Sequence, residues 1–148
     1  MKFLKYTLIV LFSIGMMSCG GSGGDDKEDT VAPTVTIASP TTSTIVTAGE
    51  NLSVNFTAAD NVALASYTVT VSYTGVKSVK TVEEFSFNSL SDTDAAGNSV
   101  PAISGASKVI SFNIATPDNA KPGAYKFSVT VKDTAGKSIS KDIAFEIQ

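Results

Sequence analysis

The sequence predicts an all-β domain built as an antiparallel β-sandwich. Apolar and polar residues alternate in short segments, which is the pattern of a strand with one buried face. Clusters of Gly, Pro, Asn, Asp and Ser separate these segments at near-regular spacing. No stretch after residue 31 shows a convincing helical period. A small β-barrel is the alternative architecture for such a pattern.

Four strands are predicted in the first half of the domain. Residues 34–38 form the first, which ends before Pro40. Residues 52–59 form the second, residues 66–73 the third and residues 80–87 the fourth. The residues of the second and third strands that are expected to face the core are Leu52, Val54, Phe56, Ala58, Tyr67, Val69, Val71 and Tyr73.

Three further strands follow a long connection. Residues 89–105 have no periodicity and are rich in Ser, Asp, Gly and Pro, which is typical of a functional or mobile loop. Alternation resumes over residues 109–114, 125–131 and 139–147, and a four-residue turn joins the last two strands as a hairpin. Seven strands with this turn spacing indicate an Ig-like sandwich. Tyr125 fits a tyrosine corner, in which the hydroxyl bonds to nearby backbone.

The first 30 residues differ from the domain. Lys2 and Lys5 precede an apolar run over residues 8–17, and a site of small residues follows at Ser18-Cys19-Gly20. This order is typical of a secretory signal, and the apolar run is too short for a transmembrane helix. We therefore predict a signal peptide over residues 1–18, a Gly- and Asp-rich tether over residues 19–30 and the sandwich domain over residues 31–148.

The composition argues against several functions. The chain has 11 basic and 14 acidic residues, a net charge of −3, and loss of Lys2 and Lys5 with the signal makes it −5. Because nucleic-acid-binding proteins present a basic face, we expect no nucleic-acid partner. The chain has no His, and its one Cys lies at the predicted cleavage site. We therefore expect no disulfide in the domain and predict that the protein is not an enzyme.

The Ser18-Cys19 site resembles that of bacterial lipoproteins. The resemblance implies cleavage before Cys19, a diacylglycerol on its thiol with palmitate-type chains, and anchoring in the outer membrane. The acidic stretch at residues 25–29 resembles the surface-export signal of Bacteroidetes lipoproteins, which implies display at the cell surface.

Residues 29–31 and 133–135 resemble the Asp-Ser/Thr-apolar acceptors of Bacteroidetes O-glycosylation. That resemblance implies glycans on Thr30 and Thr134.

Two segments of the domain resemble bacterial Ig-like repeats. They are DNVALASYTVTV at residues 60–71 and PGAYKFSVTVKDTAGKS at residues 122–138. Together with the lipoprotein start, they make the chain similar to short Bacteroidales lipoproteins with an Ig-like domain of unknown function. Members of that family often carry His residues in the middle loop. This chain has none, so a metal role of such residues does not carry over.

Calcium is the one cofactor that the sequence indicates. Asp92, Asp94 and Asn98 place oxygen atoms at alternate positions around a glycine turn, which resembles the start of an EF-hand loop. The loop lacks the closing Glu of an EF-hand. Asp60-Asn61 and Asp133 form a second candidate cluster, at one end of the domain. The alternative explanation is that Asp, Asn and Gly are simply the residues that turns need.

These observations predict a lipid-anchored, non-catalytic Ig-like module that binds or adheres to an unidentified protein or glycan. One alternative is a structural accessory subunit of an outer-membrane complex, and another is a calcium-stabilised carbohydrate-binding domain. Sugar-binding sites usually present flat aromatic rings, and Tyr67, Tyr73, Phe85 and Phe87 could supply them. The phase of Tyr67 and Tyr73 favours the core. Adhesion through an exposed strand edge requires no motif.

Overall fold

The computed structural model describes residues 28–75 and 84–148, which form seven strands and no helix. The strands are β1 (Thr34–Ser39), β2 (Ile45–Val46), β3 (Asn51–Tyr73), β4 (Phe87–Asn88), β5 (Gly105–Ala115), β6 (Gly123–Asp133) and β7 (Ser138–Ile147). The predicted all-β class is confirmed. In the part of the chain that the structure describes, no helix is long and apolar enough to cross a membrane. The predicted signal peptide and Cys19 lie outside the described residues.

The second and third predicted strands are in fact one continuous strand, β3, because the extended backbone runs on through residues 60–65. This strand belongs to both layers of the sandwich. Its first half, up to Ala59, pairs antiparallel with β1 and β5. Its second half, from Leu64, pairs antiparallel with β6 and β4. Strand β6 pairs antiparallel with β7, and β7 carries β2 on its other edge in the one parallel pairing among these strands. The sheet therefore curls on itself, and contacts of β1 with β6 and β7 close the two layers.

The core contains most of the residues that the alternation predicts, together with Val46, Leu64, Ile103 and Ala120 from outside the predicted strands. Every predicted core residue of β3 is buried except Tyr73, which is partly buried. On β6, the four inward residues from Tyr125 to Val131 are 0 % exposed. The rings of Phe56 and Tyr67 meet edge to face, with centroids 5.3 Å apart. Because these two rings come from opposite halves of β3, their contact joins the two layers.

Tyr125 makes the predicted tyrosine corner. Its hydroxyl donates a hydrogen bond of 2.7 Å to the backbone carbonyl of Lys121. Burial raises the pKa of the Tyr125 hydroxyl, so the group stays protonated and able to donate. The predicted hairpin also forms, since β6 and β7 pair up to Lys132 and Ser138 and Gly136 takes a φ of 88° in the turn.

The predicted fourth strand over residues 80–87 is only partly observed. Residues 80–83 lie outside the described residues, and residues 84–86 are not in a strand. Phe87 and Asn88 alone pair with β3. The strand ends there because the backbone N–H groups of the next turn, at residues 91 and 92, donate to the Asn88 carbonyl. The two-residue strand β2 is an addition that the sequence analysis does not contain.

Candidate functional site

Three aspartates meet at the end of the sandwich where the chain enters it. Asp29 precedes β1, Asp60 lies in the bend of β3, and Asp133 ends β6. One carboxylate oxygen of each lies within 4.8 Å of those of the other two. The register explains the meeting, because β1 begins opposite Ala59 and β6 ends opposite Leu64. We call Asp29, Asp60 and Asp133 the aspartate cluster.

Each residue of the aspartate cluster uses one carboxylate oxygen to accept backbone hydrogen bonds from the turn that follows it. These bonds join Asp29 to Val31 (3.0 Å), Asp60 to Val62 and Ala63 (2.8 and 2.9 Å), and Asp133 to Lys137 (2.8 Å). Side-chain acceptors of this kind are the reason that Asp is favoured in turns. Turn formation therefore accounts for one oxygen of each residue.

The other oxygen of each residue is buried and has no hydrogen-bond partner. These atoms are Asp29 Oδ2, Asp60 Oδ1 and Asp133 Oδ2. Asp133 is the deepest of the three residues, with 1 % of its surface exposed. A buried oxygen without a partner is costly, because it has lost its bonds to water and gained none from the protein. Turn formation does not explain why three carboxylates that each carry such an oxygen lie together.

The surroundings of the aspartate cluster suit a cation. The Asn61 side-chain N–H donates to Asp29 Oδ1 at 3.1 Å, which holds residue 29 against the bend of β3. The ion pairs Lys121–Glu84 and Lys126–Asp142 use other carboxylates. Three neighbouring carboxylates repel one another, and a divalent cation among them would offset that repulsion. Because the available donors are oxygens, the cluster could hold a hard cation such as calcium.

Part of this site is predicted from the sequence. Asp60-Asn61 and Asp133 are predicted to form one cluster, and the structure brings Asp60 and Asp133 together. Asp29 is predicted to lie in the tether, but in the structure it is tied to the domain through Asn61. The signal that could have found Asp29 is the register, because an Asp shortly before β1 must lie beside the residues that follow Ala59.

The residues first predicted to bind calcium, Asp92, Asp94 and Asn98, make hydrogen bonds within their own loop. Asp92 Oδ2 accepts from the Asn88 N–H at 2.6 Å. Asp94 Oδ1 accepts from the N–H groups of Ala96 and Asn98 at 2.9 and 2.8 Å. The Asp94 N–H donates in return to the Asn98 carbonyl at 2.8 Å. The turn explanation accounts for these bonds, and calcium binding by this loop stays a prediction.

The aromatic residues considered for sugar binding lie in or against the core. Tyr67, Phe85 and Phe87 are buried, and the Lys121 ammonium lies 4.2 Å from the centroid of the partly buried Tyr73 ring. The Tyr67 hydroxyl donates to the Pro101 carbonyl at 2.6 Å, which fastens the long loop to β3. Burial raises the pKa of Tyr67 to about 12. These rings therefore support the fold instead of forming an exposed platform.

The two predicted glycan acceptors are exposed beside the aspartate cluster. Thr30 follows Asp29, and Thr134 follows Asp133 in the turn between β6 and β7. Both threonines are exposed. The Asp that precedes each of them has one buried carboxylate oxygen. Glycosylation of either threonine stays a prediction.

Strand β5 presents a second surface with functional potential. It pairs with β3 on one side, and among residues 28–75 and 84–148 no strand pairs with its other side. The first five residues of β5, Gly105 to Val109, are all exposed. Near the opposite end of the strand, the Ala95 N–H donates to the Asn113 carbonyl at 2.8 Å. Among the described residues, no strand therefore pairs with the first half of the β5 edge, which leaves it open to another chain.

The fold and the site define an Ig-like β-sandwich with a carboxylate cluster at the end where the chain enters. The model of the DUF4625 family, a domain of unknown function, matches residues 18–148, and the chain belongs to this family. No curated protein matches the chain. Among solved structures, the chain is similar to a family 123 glycoside hydrolase from Clostridium perfringens. The TM-score is 0.46 and the identity 16 %, and the match covers 80 % of this chain and 27 % of that chain. A likeness this weak carries no argument about activity.

Proposed function

We propose that this DUF4625 protein is a lipid-anchored, non-catalytic Ig-like module that is displayed at the cell surface and binds a protein partner. The observation that carries the proposal is the open edge of β5, on a sandwich whose chain enters at one end shortly after the predicted anchor. Only nine residues separate Cys19 from Asp29 in the sequence. The absence of His and of a second Cys supports a role without catalysis.

The length of the tether sets the position of the domain relative to the membrane. Nine residues span at most about 30–32 Å even when fully extended. The end of the sandwich that holds the aspartate cluster then faces the membrane at short range. The strand edges and the turns at the opposite end, including residues 116–123, face away from it. This orientation leaves the β5 edge accessible from the side.

The proposed binding mode is strand addition at β5. An extended segment of a partner can add to a free sheet edge, where main-chain hydrogen bonds supply affinity and alternate side chains supply specificity. Val109 is 58 % exposed on β5, which gives the partner an apolar contact. Lys108 is exposed beside it, and a charge on an edge strand limits pairing between identical copies. The buried aromatic rings favour a protein partner over a sugar that stacks on them.

The experiment uses the full chain with a carboxy-terminal tag in cells of the native host. Protease added to intact cells should remove the domain, which tests surface display. Purification from detergent-solubilised membranes should co-purify a partner with the wild type and lose it with Val109→Asp. The matched control is Ile45→Asp, because Ile45 is 57 % exposed on β2, away from β5. A domain protected from protease contradicts display, and equal capture by both variants contradicts the β5 surface.

A further inference from the structure

We propose that Asp29, Asp60 and Asp133 bind a calcium ion that fastens the end of the tether to the sandwich. The three residues come from the tether, the bend of β3 and the end of β6. An ion held by all three would therefore cross-link segments that are far apart in the sequence. This proposal is independent of the proposed partner and of the β5 edge.

The buried side chain of Asp133 is the observation that distinguishes the cluster from ordinary surface acids. Only 1 % of the surface of Asp133 is exposed, and its Oδ1 accepts a hydrogen bond from the Lys137 N–H. Its Oδ2 has no partner, although an oxygen of Asp133 lies within 4.8 Å of oxygens of Asp29 and Asp60. Buried polar atoms in folded proteins nearly always have a partner. A bound cation supplies the missing partner for all three residues at once.

The number and type of the donor atoms favour calcium. Calcium takes six to eight oxygen ligands in a flexible geometry, which three carboxylates with further oxygen donors can supply. Magnesium keeps several of its waters and is usually bound through only one or two carboxylates, so three converging carboxylates suit it less well. Zinc favours nitrogen and sulfur donors, and the cluster has neither. Water and the Asn61 side chain, which already contacts Asp29, are available for the remaining positions.

Calcium binding would change the mechanics of the anchor. Without the ion, residue 29 is held by the Asn61 side chain and by its own turn at Val31. With the ion, Asp29 is also bonded to the two layers of the sandwich through Asp60 and Asp133. The chain would then be fixed to the sandwich from residue 29 onward.

The first experiment measures thermal unfolding of the full chain in detergent by circular dichroism. We compare 10 mM calcium, 10 mM magnesium and chelator at equal ionic strength. Extracellular calcium modules have dissociation constants of about 10⁻⁴–10⁻³ M, so 10 mM is roughly a 10- to 100-fold excess. Calcium should raise the melting temperature by about 5–10 °C for a domain of this size. Magnesium should raise it by less than half as much.

Substitutions assign the ion to the cluster. Asp29→Asn should lose most of the calcium-dependent rise. In chelator it should melt no lower than the wild type, because the change removes one repelling charge and keeps an oxygen for the Val31 N–H. Asp142→Asn on the exposed face of β7 is the matched control and should keep the rise. Asp94→Asn tests the long loop and should also keep it.

The second experiment measures the junction itself. Glutamyl endopeptidase cleaves after Glu28, and calcium should slow this cleavage in the wild type but not in Asp29→Asn, as followed by mass spectrometry. Four results would overturn the proposal: identical wild-type melting in calcium and chelator, an equal effect of magnesium, a full rise in Asp29→Asn, or loss of the rise in Asp94→Asn. Asp133→Asn, if it folds, should behave as Asp29→Asn.

Discussion

Phe127→Ala tests the strand phase on which the whole fold depends. Phe127 is 0 % exposed on β6, where it lies between Val71 of β3 and Ile143 of β7. Removal of a buried aromatic ring costs about 3–5 kcal/mol. A domain of about 120 residues has an unfolding entropy of about 0.25 kcal/mol per kelvin. The melting temperature should therefore fall by about 12–20 °C, and domains of ordinary stability have only about 5–15 kcal/mol in total.

The assay is thermal unfolding by circular dichroism, with Lys126→Ala as the matched control. Lys126 is the preceding residue on the same strand, and its side chain is 47 % exposed and 3.6 Å from the Asp142 carboxylate. A surface ion pair of this kind contributes at most about 1 kcal/mol. If Phe127→Ala melts within a few degrees of Lys126→Ala, the inward face of β6 has been assigned incorrectly and the packing argument fails.

Three further predictions concern the anchor, the modification and the pH dependence. Cys19→Ala should move the protein from the membrane fraction to the soluble fraction or leave it unprocessed, since acyl chains contribute about 0.8 kcal/mol per buried methylene; unchanged membrane fractionation contradicts lipidation. Intact mass of the natively expressed protein should exceed the polypeptide-plus-lipid mass by one or two glycans at Thr30 and Thr134, and a mass without this excess contradicts glycosylation. Because burial raises the pKa of Tyr67 to about 12, the stability it contributes should be complete below about pH 10 and be lost as the pH rises towards 12. Alkaline unfolding of Tyr67→Phe should depend less steeply on pH than that of the wild type, and equal slopes contradict this assignment.

The strands of the core could be predicted because their side chains obey a simple alternation. Leu52, Val54 and Phe56 face inward at every second position, as does each apolar residue of β6 from Tyr125 to Val131. Tyr125 also has a local geometric signature, since its hydroxyl reaches a carbonyl only four residues away. Features of this kind depend only on residues that are close together in the sequence, so they can be predicted from one sequence.

The features that the sequence analysis missed depend on distant pairing. The two-residue strand β2 has no period, and its existence is decided by its pairing with β7 across the sheet. The aspartate cluster is similar, because Asp29 meets Asp133 only through the register of β3 with β1 and β6. Each Asp by itself is indistinguishable from a turn residue, and indeed each one does hold its turn.

The two carboxylate oxygens of Asp can serve a turn and a cation at the same time, and this links the calcium prediction to the glycosylation prediction. A turn needs one carboxylate oxygen, so an Asp at a strand end still has a second oxygen to offer. Where the antiparallel register gathers several strand ends, carboxylates with a spare oxygen come together, and a cation site can arise without any motif in the sequence. Asp29 and Asp133 also begin the two predicted glycosylation motifs. In the folded domain, an enzyme that recognises these aspartates would find one oxygen of each buried. Glycan addition at Thr30 and Thr134 should therefore precede folding and calcium binding, so purified folded protein should be a poorer glycan acceptor than the same chain unfolded.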